Sequence, residues 1–215
     1  MNATSSTPLD FIHRFVPAPG GDVAAAPTVL LLHGTGGNED DLLDLGRAIA
    51  PQANLLSPRG KISENGMPRF FRRLAEGVFD EADLIHRTHE LSEFIAAAAK
   101  HYGFSPDTIT ALGYSNGANI AASTLLLRPG VLSGAILLRA MVPLTPESLP
   151  KLEGTRVFLS SGLGDPILPI SNARTLARML QDAGAELTFR ELPTGHQLTS
   201  TDVDGARAWF NQTPT

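Results

Sequence analysis

The sequence predicts a single α/β domain, with a mostly parallel central sheet and helices on both of its faces. Strand-length apolar runs alternate with segments of helical periodicity along most of the chain, which is the pattern of repeated strand–helix–strand units. Residues 28–32 and 134–138 are almost continuously apolar, as expected for strands that are covered on both faces. The length of 215 residues suits one such domain.

The first half of the chain is predicted to hold three strands and two helices. The strands are an edge strand at 9–16 and inner strands at 28–32 and 53–57, and the helices are 38–50 and 81–102. Asn38 is the expected cap of the first helix. Apolar residues recur at helical spacing in the second helix, for example at Leu84, Leu91 and Ile95. Residues 58–79 mix Gly, Pro, Arg and Phe without periodicity, which indicates a long functional loop.

The second half of the chain continues the alternation. Strands are predicted at 108–112, 134–138, 156–160 and 186–192, and helices at 118–127, 170–183 and 199–210. Gly184 is placed to end the second of these helices. Ligands of parallel sheets bind at the carboxyl ends of the strands. Functional residues are therefore expected in the loops that follow the strands.

Composition and charge exclude several classes of function. The net charge of −5 argues against a nucleic-acid partner, and the absence of cysteine excludes thiol nucleophiles, disulfides and Cys-metal sites. No apolar run approaches the ~20 residues that a membrane span needs. Residues 1–8, an expected loose tail, lack the basic and apolar regions of a signal peptide. We expect a cytoplasmic protein without a membrane partner.

A Gly-x-Ser-x-Gly motif at 113–117 is the strongest functional signal in the chain. It lies between the strand predicted at 108–112 and the helix predicted at 118–127, and such a strand–turn–helix context exposes the serine, Ser115, above the sheet. Gly117 and the alanines that follow it would let the helix pack closely. A turn serine that merely caps a helix is the alternative, and the context favours a nucleophile.

A serine nucleophile needs a base, and the base needs an orienting acid. In the suggested fold the chain order is serine, acid, histidine. Only His196 of the six histidines follows Ser115, and a histidine on an ordinary surface loop is the alternative. For the acid, Asp165 follows the strand at 156–160, and Glu191 is its rival.

Three other acidic residues follow Ser115 in the sequence. Asp182, Asp202 and Asp204 fall on predicted helices or at their starts. They are expected to be solvated surface charges.

An oxyanion formed at the site would need two backbone donors. We assign these to the N–H groups of Asn116, at the start of the helix after Ser115, and Thr35, in the glycine-rich loop 33–37. A phosphate cradle is the rival interpretation of that loop, but it matches neither nucleotide-binding pattern. His33, which precedes the serine, is expected to be structural.

Three segments together resemble a known family. They are HGTGGNE at 33–39, ENGMPRFF at 64–71 and GYSNGAN at 113–119. The combination is similar to the small bacterial carboxylesterases of the phospholipase/carboxylesterase family, α/β-hydrolases related to acyl-protein thioesterases and dienelactone hydrolases. The resemblance implies Ser115, Asp165 and His196 as a triad, with Thr35 and Asn116 as oxyanion donors. Dienelactone hydrolases use a cysteine nucleophile, so the serine here argues against dienelactone substrates.

The substrate side is expected to be open and shallow. Only residues 141–154 separate two predicted strands where larger lipases insert a lid. Four residues are candidates for an apolar wall, with ordinary core positions as the equal alternative: Phe70, Phe71, Met141 and Leu168.

Charged clusters elsewhere allow two interpretations each. Arg69, Arg72 and Arg73 would recognise a substrate carboxylate or phosphate, or they form surface ion pairs, the more common case. The cluster of Asp83, His86, His89 and Glu93 resembles a metal site only loosely, and a solvated helix face is favoured over it.

The sequence therefore predicts a serine esterase that needs no metal or cofactor, and its expected partner is a small-molecule ester. A homodimer is left open. A thioesterase and a non-catalytic binding protein on the same scaffold are the alternatives.

Overall fold

A computed structural model describes residues 9–212, so the tail predicted at 1–8 lies outside the described residues. The strands are β1 (His13–Val16), β2 (Thr28–Leu32), β3 (Asn54–Pro58), β4 (Ile62–Glu64), β5 (Met67–Arg69), β6 (Arg73–Ala75), β7 (Val78–Phe79), β8 (Ile109–Tyr114), β9 (Gly134–Leu138), β10 (Arg156–Gly162) and β11 (Glu186–Leu192). The helices are α1 (Leu43–Ile49), α2 (Glu81–Tyr102), α3 (Asn116–Leu127), α4 (Ile170–Asp182) and α5 (Ser200–Phe210), with a short 3₁₀ turn at Pro106–Thr108.

Seven strands form the central sheet in the order β1-β3-β2-β8-β9-β10-β11. All neighbours are parallel except β1, which pairs antiparallel with β3 at the edge. Every residue of β2, β3 and β9 is buried, because helices cover both faces of the sheet. The prediction of a mostly parallel sheet inside an α/β domain is confirmed.

The two faces of the sheet carry separate apolar clusters. On one face α2, α3 and α4 pack through residues such as Leu91, Ala121 and Leu176. On the other face α1 and α5 pack through residues such as Ile49 and Trp209. Because β2, β8, β9, β10 and β11 are parallel, their carboxyl ends lie along one edge of the sheet, where the loops that follow them meet.

The first helix is shorter than predicted. It begins at Leu43, with Leu42 at the N-cap, rather than at residue 38. The Asn38 side chain instead accepts a hydrogen bond from the Asp40 N–H at 2.8 Å within a turn. Asparagine competes for local backbone donors in this way, which favours turns as readily as helix caps.

Residues 58–79 are not a plain loop. They contain two small antiparallel hairpins, β4–β5 and β6–β7. The first turns at Asn65 and Gly66, both with positive φ (54° and 83°), as a tight two-residue hairpin turn requires. Strands of two or three residues are too short to show periodicity in the sequence, which is why the pattern indicated a loop.

Among residues 9–212, no helix is both long enough and apolar enough to cross a bilayer.

Candidate active site

Ser115 occupies a strained turn between β8 and α3. Its backbone has φ 52° and ψ −112°, a conformation that costs a non-glycine residue about 1–3 kcal/mol and occurs mainly at functional sites. The Ser115 N–H donates to Leu138 O at 2.9 Å, which ties the turn to the end of β9. A Cβ at Gly117 would collide with the carbonyl oxygen of Leu32. The close approach of α3 to the sheet therefore requires glycine at that position.

His196 lies between Ser115 and Asp165. Its Nε2 is 3.1 Å from Ser115 Oγ, and its Nδ1 is 2.7 Å from Asp165 Oδ2. In this arrangement the aspartate holds the proton on Nδ1, which leaves the Nε2 lone pair directed at the serine hydroxyl. The structure thus brings together three residues that are up to 81 positions apart in the sequence.

The Asp165 carboxylate is buried and fixed by its own loop. Its other oxygen, Oδ1, accepts the N–H groups of Ile167 at 2.8 Å and Leu168 at 3.0 Å. Glu191, the rival acid, instead forms a bidentate pair with Arg174 on α4, at 2.7 and 2.8 Å. Of the two acids, only Asp165 bonds to the histidine.

Thr35 and Asn116 both line the cavity beside Ser115. Within residues 9–212 neither backbone N–H donates to a protein acceptor, as is usual for the first turn of a helix in the case of Asn116. The segment around β5 contacts both the loop that carries Thr35 and the side chain of Asn116. Gly36 donates to Pro68 O at 2.9 Å, and Phe70 N–H donates to the Asn116 side-chain oxygen at 2.8 Å.

The cavity has a volume of about 370 Å³ and opens to solvent. Three of the predicted substrate contacts, Arg69, Met141 and Leu168, line it. Phe70 and Phe71 do not, because they are only 2% and 0% exposed and belong to the core. Of the two equal alternatives for this aromatic pair, the core position is therefore correct and the wall of the site is wrong. A Phe-Phe pair looks the same in the sequence whether it lines a cavity or fills the core.

Two residues at the cavity were missed in the sequence. The Tyr114 hydroxyl donates to His196 O at 3.2 Å, and burial raises the pKa of this phenol, so it stays a neutral donor. Asn119, one turn along α3, accepts the Met141 N–H at 2.9 Å and fixes that part of the wall. The position of Tyr114 directly before Ser115 was the available signal.

The loop that carries His196 is anchored by a buried guanidinium. Arg139, at φ 59° just after β9, donates to Gly195 O at 3.0 Å and Gln197 O at 2.9 Å. Its two terminal nitrogens also bind the Asp202 carboxylate at 2.8 and 2.9 Å. Arg139 and Asp202 are both 0% exposed. Asp202 is therefore not the solvated surface charge that its place on a helix suggested.

Asp202 also caps the helix on which it lies. Its carboxylate accepts the N–H and the hydroxyl of Thr199 at 2.8 and 2.9 Å, and it accepts the Ser160 hydroxyl as well. A Thr-x-x-acid pattern is a readable capping signal. The buried partner Arg139, 63 residues away, has no local signal.

His33 is buried beneath the glycine-rich loop, as its expected structural role requires. Its Nε2 accepts the Gly60 N–H at 2.9 Å, and its Nδ1 bonds to Gly34 O at 2.7 Å. Burial lowers the pKa of this imidazole and keeps the ring neutral.

Of the two acidic residues in the loosely metal-like cluster on α2, Glu93 is exposed but Asp83 is not. Asp83 is buried and accepts the Arg72 N–H at 2.8 Å, while His89 bonds to Arg128 at 3.0 Å. In the part of the chain that the structure describes, no group of three or more acidic or histidine side chains is placed to hold a metal.

The sheet order, the strained serine turn after β8 and the histidine loop after β11 define the α/β-hydrolase fold. The sequence model of the Phospholipase/Carboxylesterase family matches residues 16–213. The chain belongs to this family, and it is a hydrolase that acts on ester bonds.

Individual relatives agree with this assignment. A Bacillus subtilis (strain 168) protein named "Putative hydrolase MhqD" is 51% identical over 184 residues, which cover 86% of this chain and 92% of the relative. The Bacillus cereus carboxylesterase, known from a crystal structure, shares 48% sequence identity with this chain, and the two structures superpose with a TM-score of 0.91 over 94% of each chain. YahD, whose structure was determined with malic acid, is 32% identical, with a TM-score of 0.85 and coverage of 92% and 96%.

Proposed function

We propose that this protein cleaves carboxylic esters of small molecules through an acyl-enzyme formed on Ser115. The observation that carries the proposal is the hydrogen-bonded chain from Asp165 through His196 to Ser115. A serine hydroxyl is a weak nucleophile on its own, and a neutral imidazole in contact with it supplies the base that it needs.

The first half of the reaction forms the acyl-enzyme. His196 Nε2 takes the Ser115 proton while Oγ attacks the ester carbonyl, and the Asp165 carboxylate stabilises the imidazolium that results. The N–H groups of Thr35 and Asn116 then stabilise the oxyanion of the tetrahedral intermediate, and the dipole of α3 adds to the second donor. His196 returns its proton to the alcohol oxygen as the ester bond breaks.

The second half releases the acid. Water attacks the acyl group, with His196 again as the base, and Ser115 Oγ leaves with the proton. The open cavity of about 370 Å³ suits a small ester, with Met141 and Leu168 as apolar contacts and Arg69 as a polar contact. Because the related YahD was solved with malic acid, small organic acids are the first products to test.

Replacement of the proposed nucleophile tests the mechanism. We expect Ser115→Ala to lower the turnover of p-nitrophenyl acetate at least about a thousandfold, with an unchanged circular dichroism spectrum. Ser161→Ala is the matched control, because Ser161 is buried near the end of β10 and does not line the cavity, and its Oγ has no hydrogen-bond partner among the described residues. Turnover by Ser115→Ala at the wild-type rate would exclude the mechanism.

A thioester can react by the same steps, so a thioesterase is the second candidate function of this site. Matched oxygen and sulfur esters of one acyl group separate the two. A higher kcat/KM for the oxygen ester supports the carboxylesterase, and a clear preference for the sulfur ester supports the thioesterase.

A further inference from the structure

Two arginines in the candidate active-site cavity share a single carboxylate. Arg69 on β5 and Arg73 on β6 both line the cavity that contains Ser115 and His196. Glu64 is 3.1 Å from the Arg69 guanidinium and 2.9 Å from that of Arg73. This cluster therefore holds two positive charges and one negative charge.

The remaining partners of Arg69 carry no charge. Its Nη1 donates to Thr35 Oγ1 at 2.6 Å and its Nε to Phe71 O at 3.2 Å. The side chain is only 3% exposed, so little water solvates its positive charge. Burial lowers the pKa of Arg69, and repulsion by Arg73 lowers it further than the attraction of Glu64 raises it. An anion in the cavity would relieve both unfavourable effects.

Among the residues that the structure describes, one carboxylate lines the cavity itself, that of Glu76. It lies in the exposed turn of the β6–β7 hairpin, where solvent and salt screen its charge. The part of the cavity that the buried Arg69 lines is therefore the part that favours a negative group.

We propose that Arg69, assisted by Arg73, binds a free carboxylate on the substrate, and that the natural substrates are small esters with one such carboxylate. The planar guanidinium matches a carboxylate geometrically, and the charged hydrogen bonds between them are stronger than neutral ones. The proposal rests on the proposed esterase function, because it assigns the substrate class of the same site. The competing role for Arg69 is to hold the Thr35 loop in place without contact to substrate.

Matched ester pairs distinguish these roles. The first pair is the monomethyl ester of glutaric acid and the same ester with its free carboxylate replaced by a carboxamide. The second pair is acetylglycolate and acetylglycolamide, which place the group on the alcohol side. In at least one pair we expect the wild type to prefer the carboxylate about tenfold or more in kcat/KM, and the preference should shrink at high salt.

Variants locate the preference. Arg69→Met and Arg73→Met should each bring the ratio of the two kcat/KM values toward one, with the larger change for Arg69. An effect through the Thr35 loop would lower both members of a pair equally and leave the ratio unchanged. Arg174→Gln is the matched control, since this arginine pairs with Glu191 at the surface, and it should keep the wild-type ratio.

Equal kcat/KM values in both pairs would overturn the proposal, as would an unchanged ratio in both cavity variants. The wild-type ratio and the Arg73 variant still give an answer if Arg69→Met does not fold. If the proposed substrate class is overturned in this way, cleavage of p-nitrophenyl acetate that depends on Ser115 would show that the esterase function still holds. Absence of any esterase activity would contradict both the esterase function and the substrate class.

Discussion

The loop that carries His196 and the loop that carries Thr35 each accept a hydrogen bond from a buried arginine, but the two guanidinium groups differ in how far their charge is neutralised. Arg139 forms two hydrogen bonds with Asp202, a carboxylate as buried as itself. Arg69 shares Glu64 with Arg73 and otherwise meets neutral acceptors.

This difference separates an anchor from a binding group. A buried guanidinium whose donors are all hydrogen-bonded is fixed in one place and has no donor free for a ligand. A buried guanidinium that shares its only carboxylate with a second arginine is stabilised by any anion that reaches it. Arg139, at the histidine loop, is therefore assigned to positioning, and Arg69, in the cavity, to substrate recognition.

The largest effect on stability is expected at Asp202. Asp202→Asn leaves the Arg139 guanidinium buried without its counterion, which should lower the free energy of unfolding by about 3–5 kcal/mol. Asp204→Asn is the matched control on the same helix, because Asp204 is 69% exposed and its contact with Arg207 is long, at 3.5 Å. This substitution should lower the free energy of unfolding by less than about 1 kcal/mol. Urea denaturation measures both. Equal losses would mean that the buried pair is not special.

A double variant separates the positioning role of Arg139 from its stability role. Arg139→Met combined with Asp202→Asn removes both charges, so most of the stability lost in Asp202→Asn should return. The His196 loop still loses its bonds to Gly195 O and Gln197 O. We expect kcat/KM for p-nitrophenyl acetate to stay at least about tenfold below the wild type, since small displacements of a catalytic group are costly. Recovery of full activity together with stability would refute positioning.

The Asp202 carboxylate should also make stability depend on pH. Burial opposes its ionised form, but hydrogen bonds from Arg139, Ser160 and Thr199 outweigh burial and hold its pKa below the ordinary value of 3.8. Its stabilising contribution is thus complete above pH 3.8 and is lost as the pH falls through the lower native value. In urea titrations the gap in unfolding free energy between wild type and Asp202→Asn should be constant near neutral pH and narrow below 3.8. A gap that does not narrow would count against this origin.

The smallest effect on stability is expected at Arg69. Arg69→Met removes a buried guanidinium that Arg73 repels and that Glu64 only partly neutralises. The free energy of unfolding should change by less than about 1 kcal/mol. Arg139→Met alone leaves the Asp202 carboxylate buried without its counterion, and it should lower the free energy of unfolding by about 3–5 kcal/mol. Thermal or urea unfolding of the two single variants compares them directly. Similar losses would show that both arginines are anchors.

The sequence carries the serine turn and most of the fold because their signals are local. Continuous apolar runs predict buried strands, and the bounds of Glu81–Tyr102 and Gly134–Leu138 agree with the structure. The Gly-x-Ser-x-Gly motif needs only its flanking strand and helix to be read. Chain order then selects Asp165 and His196, which the structure brings to Ser115.

The residues that support the site were harder to predict because their partners are distant in the sequence. Arg139 meets Asp202 across 63 positions, and neither residue type suggests burial. The hairpins within 58–79 have strands of only two or three residues, so neither periodicity nor length marks them. Phe70 and Phe71 lie between these two hairpins, so their burial could not be predicted from a sequence in which the hairpins are not recognisable.

The most direct test of the account is the site of covalent labelling by a fluorophosphonate probe, located by mass spectrometry of peptides. The account predicts a single modified serine, Ser115, with labelling greatly slowed in His196→Ala because the base is missing. Labelling at another serine, or labelling of Ser115 at the wild-type rate in His196→Ala, would contradict the assignment of Ser115 as a nucleophile activated by His196.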